Sequence, residues 1–381
     1  MKKKLVCILA FVMLLSACGG GEVTETSEPE PSPPELPSEE PAPTPTPTPK
    51  PTPTPTPSPT PTPTPDPNAD LKGLNPLTGL PTVEEDENKR PLAIMYNNLK
   101  VALPMCGITS ADIIYEAPAE GGVTRVLAFF LNPTDIPRIG SVRSTRAYFL
   151  DLAHGHDAIM LHAGGSPEAL SEIPKRGITN FDGIRWDGTL YYRDAERRRT
   201  AGLEHSMFTT GALIEKYVCG SDKRLEHEDD YIHPLRFTDD GTPKGGAPVQ
   251  QIKLFYSDYK TGIFDYDEET GLFLVSQYGK PFIDGNDGSQ IAVRNVIIVQ
   301  TEIWQIKGDS AGRLAARMTG SGEGFYACGG KYIPITWSKK SSGDPFVYTL
   351  EDGTPLVLGR GKTYINIFPL AFTPEFFEKD D

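Results

Sequence analysis

Proline limits what this chain can fold into more than any other residue. Nineteen of its 37 prolines fall between Gly19 and Asp70, and from Pro43 to Pro65 they alternate, mostly with threonine. Each proline removes a backbone donor and fixes φ, so no sheet ladder or helix can form across such a run. Extended polyproline II remains. At about 3.1 Å per residue, a stretch of about 25 residues reaches on the order of 75 Å. Residues 19–70 therefore read as a disordered, stiff stalk, which leaves 71–381 as the foldable part, large enough for one big domain or two modest ones. A ligand for Pro-binding domains is the competing reading of the repeat, and the monotony of the run favours the stalk.

Ahead of the stalk, 1–18 read MKKKLVCILAFVMLLSAC. Three lysines precede an apolar run from Leu5 to Ala17 that is too short for an ordinary transmembrane helix. It closes in Leu15-Ser16-Ala17-Cys18, which resembles the bacterial lipobox. That resemblance makes 1–18 a lipoprotein signal peptide and Cys18 the lipidated first residue of the mature chain. The expected location is the extracytoplasmic face of a membrane, with the stalk extending into a thick wall.

Of the formal charge of −14, the stalk carries −8 and the leader +3, so the foldable part stands at −9. A body that acidic lacks the basic footprint needed for DNA or RNA. Cys106, Cys219 and Cys328 are an odd set without a CxxC, expected as buried free thiols. No P-loop, GxGxxG, HExxH or EF-hand pattern occurs, so neither a cofactor nor a metal is expected.

Strand and helix signals interleave over 71–240, with apolar runs at 92–96, 112–116, 124–131 and 158–162. Helices are expected over 144–153, 166–173 and 209–218, the first capped by Ser141 or Ser144 and the second by Ser166. Seven β-branched or aromatic runs between Asp/Gly turns follow over 248–370 and predict mostly antiparallel pairing. The expected fold class is α+β (or α/β): a mixed α/β domain at 71–240, a β-rich domain at 248–370 and a tail at 371–381.

Four clusters carry chemistry. Glu116 and Glu120, beside Gly121-Gly122 and Arg125, suit paired-carboxylate catalysis or a hairpin whose acids pair with arginines. Arg143 and Arg146 lie near a helix start, where cations oppose the dipole, so either a bound anion or internal carboxylates must offset them. His154, His156, Asp157 and His162 offer imidazole and carboxylate, with His162 closing a strand. Arg193 and Asp194, the run Arg197-Arg198-Arg199 and Glu204-His205-Ser206 form the fourth, with His205 an acid or base and Ser206 lacking a nucleophile elbow.

Several of these stretches, in order, resemble the YerB-like lipoprotein family, which carries the domain of unknown function 3048. They are Arg90–Asn98, Ala111–Glu116, Glu120–Arg125, Ile139–Arg146, Leu161–Pro167 and Tyr192–Asp194. Asn295–Ile298, Trp337–Lys339 and Gly361–Tyr364 resemble the family's C-terminal companion domain. The resemblance spans about 72–370 and implies a two-part Gram-positive lipoprotein without supplying a reaction. Where the family often reads Pro-His-Asn, this chain has Glu204-His205-Ser206, so only His205 carries over.

Two functions follow. The favoured one is a binding or scaffold module that engages a cell-wall polymer or a membrane-protein partner through an anion site at Arg125, Arg143, Arg146 and Arg193. The other is a wall hydrolase or transferase using Glu116, Glu120, His162 or His205 as acid and base.

Overall fold

Thr363–Pro369 is the strand around which the molecule is built, because all seven of its residues are buried. It pairs in parallel on both sides, with Ile113–Pro118 and with Asn295–Thr301. A parallel strand covered on both faces reads as a near-continuous apolar run, here Tyr-Ile-Asn-Ile-Phe, interrupted only by Asn366, whose amide is hydrogen-bonded to Tyr256 and the Ile297 carbonyl. In a computed structural model, Asp66 and residues 68–379 are described. The leader 1–18 with Cys18 and nearly all of the 19–70 stalk lie outside the described residues.

The elements of the first part are β1 (Leu92–Asn97), β2 (Ile113–Pro118), β3 (Thr124–Phe130), β4 (Ile139–Gly140), α1 (Ala147–Gly155), β5 (Ile159–His162), α2 (Pro167–Lys175), β6 (Asn180–Asp182), β7 (Tyr192–Arg193), α3 (Ala195–Ala201) and β8 (Met207–Thr209). Among the described residues one eleven-stranded sheet runs Ala247–Pro248, Lys331–Lys339, Gly320–Cys328, Asn295–Thr301, Thr363–Pro369, β2, β3, β1, β5, β6, with Val347–Thr349 added on Lys331–Lys339. Strands from the parts expected at 71–240 and at 248–370 thus meet in one sheet. They belong to one compact unit.

Alternation along the strands sorts the core onto two faces. Ile94, Tyr96, Ile114, Val126 and Ala128 pack on one face against Ile252, Leu254, Phe264 and Phe273 of a second, six-stranded antiparallel sheet. Ala93, Met95, Ile113, Tyr115, Leu127 and Phe129 pack on the other against Phe149, Leu150 and Leu152 of α1 and Ala169 and Ile173 of α2. The fold is therefore mixed α/β first and mainly antiparallel later. The two parallel pairs of Thr363–Pro369, with β2 and with Asn295–Thr301, are the departure from the antiparallel expectation.

Two local expectations need correction. Ser166 does cap α2, its hydroxyl accepting from the Ala169 amide at 3.2 Å. Neither Ser141 nor Ser144 caps α1, whose N-cap is Arg146 with no side-chain cap. Residues 141–146 are held extended instead: the Arg143 amide donates to Met95, that of Ala163 to Arg143 and that of Thr145 to Gly164. Cys106 and Cys328 are buried free thiols, but Cys219 is exposed.

Candidate anion site

β1, β5 and β6 run parallel, and α1 and α2 both start at their carboxyl ends. Open α/β sheets present ligand crevices at such ends, because helix N-termini and loops converge there. Arg143, Ser144 and Arg146 lie on the segment between β4 and α1, clasped between β1 and the Ala163–Gly165 turn.

The β2–β3 connection supplies the opposite charge. Gly121 and Gly122 both have φ of +73°. The left-handed pair folds the chain back sharply, so Glu120 faces Arg125 five residues on. Glu120 Oε1 accepts from Arg125 Nη2 at 2.7 Å, and the carboxylate also takes a fork from Arg146, Nη2 to Oε1 and Nε to Oε2. Arg125 further donates to the Ser144 carbonyl. Burial pushes the Glu120 pKa up, but the Arg146 hydrogen bond and the two arginine charges outweigh it and leave it lowered. Burial, then the Arg146 charge, pulls Arg125 down to about 10.

Beside this pair a groove of about 510 Å³ opens, lined in part by Arg143, Arg193, Ile184, Leu203 and Glu204. Arg143 Nη2 donates to Glu204 Oε2 at 2.6 Å, and Nη1 to the Glu204 carbonyl at 3.4 Å. Arg193 donates from Nε to Asp187 at 3.1 Å and from Nη1 to the Leu203 carbonyl at 2.9 Å. Four arginines expected as an anion site are thus gathered, served by the three carboxylates Glu120, Asp187 and Glu204.

His205 stands behind the groove. The Asn97 amide nitrogen, which can only donate, lies 2.7 Å from His205 Nδ1. Nδ1 therefore accepts, and Nε2 carries the proton, 3.6 Å from Glu204 Oε1. Burial lowers the His205 pKa, more than Glu204 raises it.

The catalytic candidates do not converge. Glu116 lies on the opposite face of the sheet from Arg125, and 1% of its side chain is exposed. It pairs with Lys260 Nζ at 2.9 Å and accepts from Asn98, Thr124 and Tyr364. His162 is buried, with Nδ1 2.9 Å from the Gly164 carbonyl and Nε2 3.1 Å from Asn180 Oδ1. Ser206 is buried and donates to the Leu203 carbonyl. His156 is buried against Tyr115, and no group of three His, Cys, Asp or Glu placed to hold a metal is found among the described residues. Asn97 and Lys260 escape the sequence reading: Lys260 sits in Ser257-Asp258-Tyr259-Lys260, which looks like any polar surface turn.

Two family models match the chain: the N-terminal domain of the protein of unknown function DUF3048 over 77–224, and its C-terminal domain over 252–365. The Bacillus subtilis (strain 168) protein named "Putative lipoprotein YerB" is 32% identical over 297 residues, 77% of this chain and 86% of that protein. A crystal structure of YerB protein from Bacillus subtilis superposes with a TM-score of 0.70 at 29% identity, covering 80% of this chain and 99% of that one.

Proposed function

The chain belongs to the DUF3048 family, that of YerB, and from that premise we propose that it is a lipid-anchored extracytoplasmic binding module whose Arg143/Arg193 groove takes an anionic group of the cell envelope. One observation carries this reading. At the mouth of the groove both arginines are 19% exposed, while their partners Glu204 and Asp187 are 62% and 41% exposed. Exposed ion pairs of this kind are worth about 0–1 kcal/mol, so an arriving anion displaces them at little cost. The deeper Arg125 and Arg146 share one carboxylate, which leaves the cluster a positive charge in excess.

The sequence supplies the setting. A lipidated Cys18 and a Thr-Pro stalk would hold this site away from a membrane, within reach of wall polymer or of proteins that build it. The test is co-sedimentation of the purified full chain with isolated Gram-positive sacculi. Binding is expected to weaken as salt rises from about 50 to about 500 mM, as screening of an exposed site requires. It should fall about tenfold or more in Arg143→Ala/Arg193→Ala, which removes both forks. Sedimentation indifferent to that variant, or release of soluble wall fragments by the wild-type chain, overturns the reading.

A further inference from the structure

We propose that Glu204 is a built-in stand-in for the ligand, and that the groove's natural occupant is a molecule ending in a free carboxylate beside an apolar side chain, as at a peptide C-terminus. This rests on the anion-site reading above and specifies its chemistry. The Glu204 carboxylate is bracketed oxygen by oxygen: Oε2 accepts a hydrogen bond from Arg143 Nη2 at 2.6 Å, and Oε1 faces the N–H of His205 Nε2 across 3.6 Å, just outside hydrogen-bond distance. A planar, two-oxygen acceptor suits two donors disposed in this way.

The donors are fixed and the acceptor is not. His205 and Asn97 are buried, and Asn97 sets the imidazole tautomer. Arg143 and Arg193 both hold carbonyls of the Leu203-Glu204 turn. The Glu204 side chain itself stands largely in solvent on a turn entered through Gly202, whose φ is +102°. Every contact of its carboxylate can be reproduced by another carboxylate without disturbing a buried group. Exposed Ile184 and Leu203 line the same groove and offer apolar surface to whatever adjoins that carboxylate.

The test uses the full chain and three probes: N-acetyl-alanyl-alanine with a free carboxylate, the same dipeptide as its amide, and inorganic phosphate, each titrated calorimetrically. The carboxylate is expected to bind, and the amide not to bind. Glu204→Gln keeps the shape of the stand-in and removes its charge, and should tighten carboxylate binding about two- to fivefold, the worth of an exposed ion pair. Arg143→Lys should weaken it, because an ammonium cannot reproduce the fork. Melting temperatures of both variants near wild type exclude misfolding as the cause. If the carboxylate binds in an Arg143-dependent way but Glu204→Gln leaves affinity unchanged or lower, the stand-in role fails and the anion site survives. Phosphate bound more tightly than the carboxylate overturns the ligand class. No Arg143-dependent binding of any probe to wild type or Glu204→Gln overturns the anion site and this inference together.

Discussion

A carboxylate and an ammonium, each with 1% of its side chain exposed, meet in the interior as Glu116 and Lys260. Burial lowers the Lys260 pKa, and the Glu116 charge acts against it. Lys260 also donates to Gln277 Oε1 at 2.6 Å, and Gln277 in turn to Asn98 at 3.0 Å, so the charges are ringed by satisfied amides and hydroxyls. Glu116→Ala would strand a buried ammonium and is expected to cost about 3–5 kcal/mol in denaturant unfolding, whereas Glu116→Gln/Lys260→Met, which removes both charges and keeps an acceptor for Asn98, Thr124 and Tyr364, should cost less. Protons act at this scale too. Burial lowers His156 to about 3 and His233 to about 4, so the folded chain holds both neutral below their ordinary value of about 6.5. Their contribution is complete above about 6.5 and is lost as pH falls toward 4, because the unfolded chain binds those protons first. Asp112, raised by burial to about 6, works the other way and gains stability as pH falls from 6 toward 4. Two imidazoles outweigh one carboxyl, so urea midpoints should fall from pH 7 to pH 5. Asp112→Asn should steepen that fall and His233→Asn should flatten it.

Among the elements, the strand Gly320–Cys328 shows what a sequence pattern hides. Its first five residues, Gly-Ser-Gly-Glu-Gly, read as a loop, yet all nine positions pair with Lys331–Lys339. The glycines are there for approach distance: a Cβ on Gly322 would lie 2.7 Å from the Trp337 indole, and one on Gly324 2.2 Å from the Ile298 carbonyl. Gly322→Ala is therefore expected to lower stability by about 1–3 kcal/mol, the usual cost of overpacking, with a change in Trp337 emission. The same competition decided the start of α1. Ser144 has the chemistry of a cap, but extended pairing of 141–146 with β1 and the Ala163–Gly165 turn fixed those backbone groups first.

For the whole molecule, the shared sheet has a thermodynamic consequence. β2 and Thr363–Pro369, 250 residues apart in the Ile113–Thr363 pair, are hydrogen-bonded neighbours with both faces covered. Cutting the chain near residue 245 would bare the edge of β2 and the apolar face that carries Ile114 and Val126. A fragment ending there should lack near-UV dichroism and aggregate, while the intact chain should unfold in one transition whose midpoint is the same by fluorescence and by far-UV dichroism. Two separated transitions would contradict this.

The sequence by itself determined what depends on local chemistry. A Thr-Pro run cannot pack, a Ser-Pro-Glu start makes an α2, left-handed Gly121-Gly122 turns the chain, and an apolar run makes β1 or Thr363–Pro369. It also named Arg125, Arg143, Arg146, Arg193 and His205, which the fold gathers in and around one groove. The pairing of these groups was decided by tertiary structure alone. Glu116 occupies the face of β2 turned away from Arg125, whereas Glu120 lies on the β2–β3 connection that folds back onto Arg125. Lys260 reaches Glu116 only because the second sheet packs onto that face. Charges 144 residues apart, such as Glu116 and Lys260, are joined by packing of apolar surface, and that is a property of the whole chain rather than of any window along it.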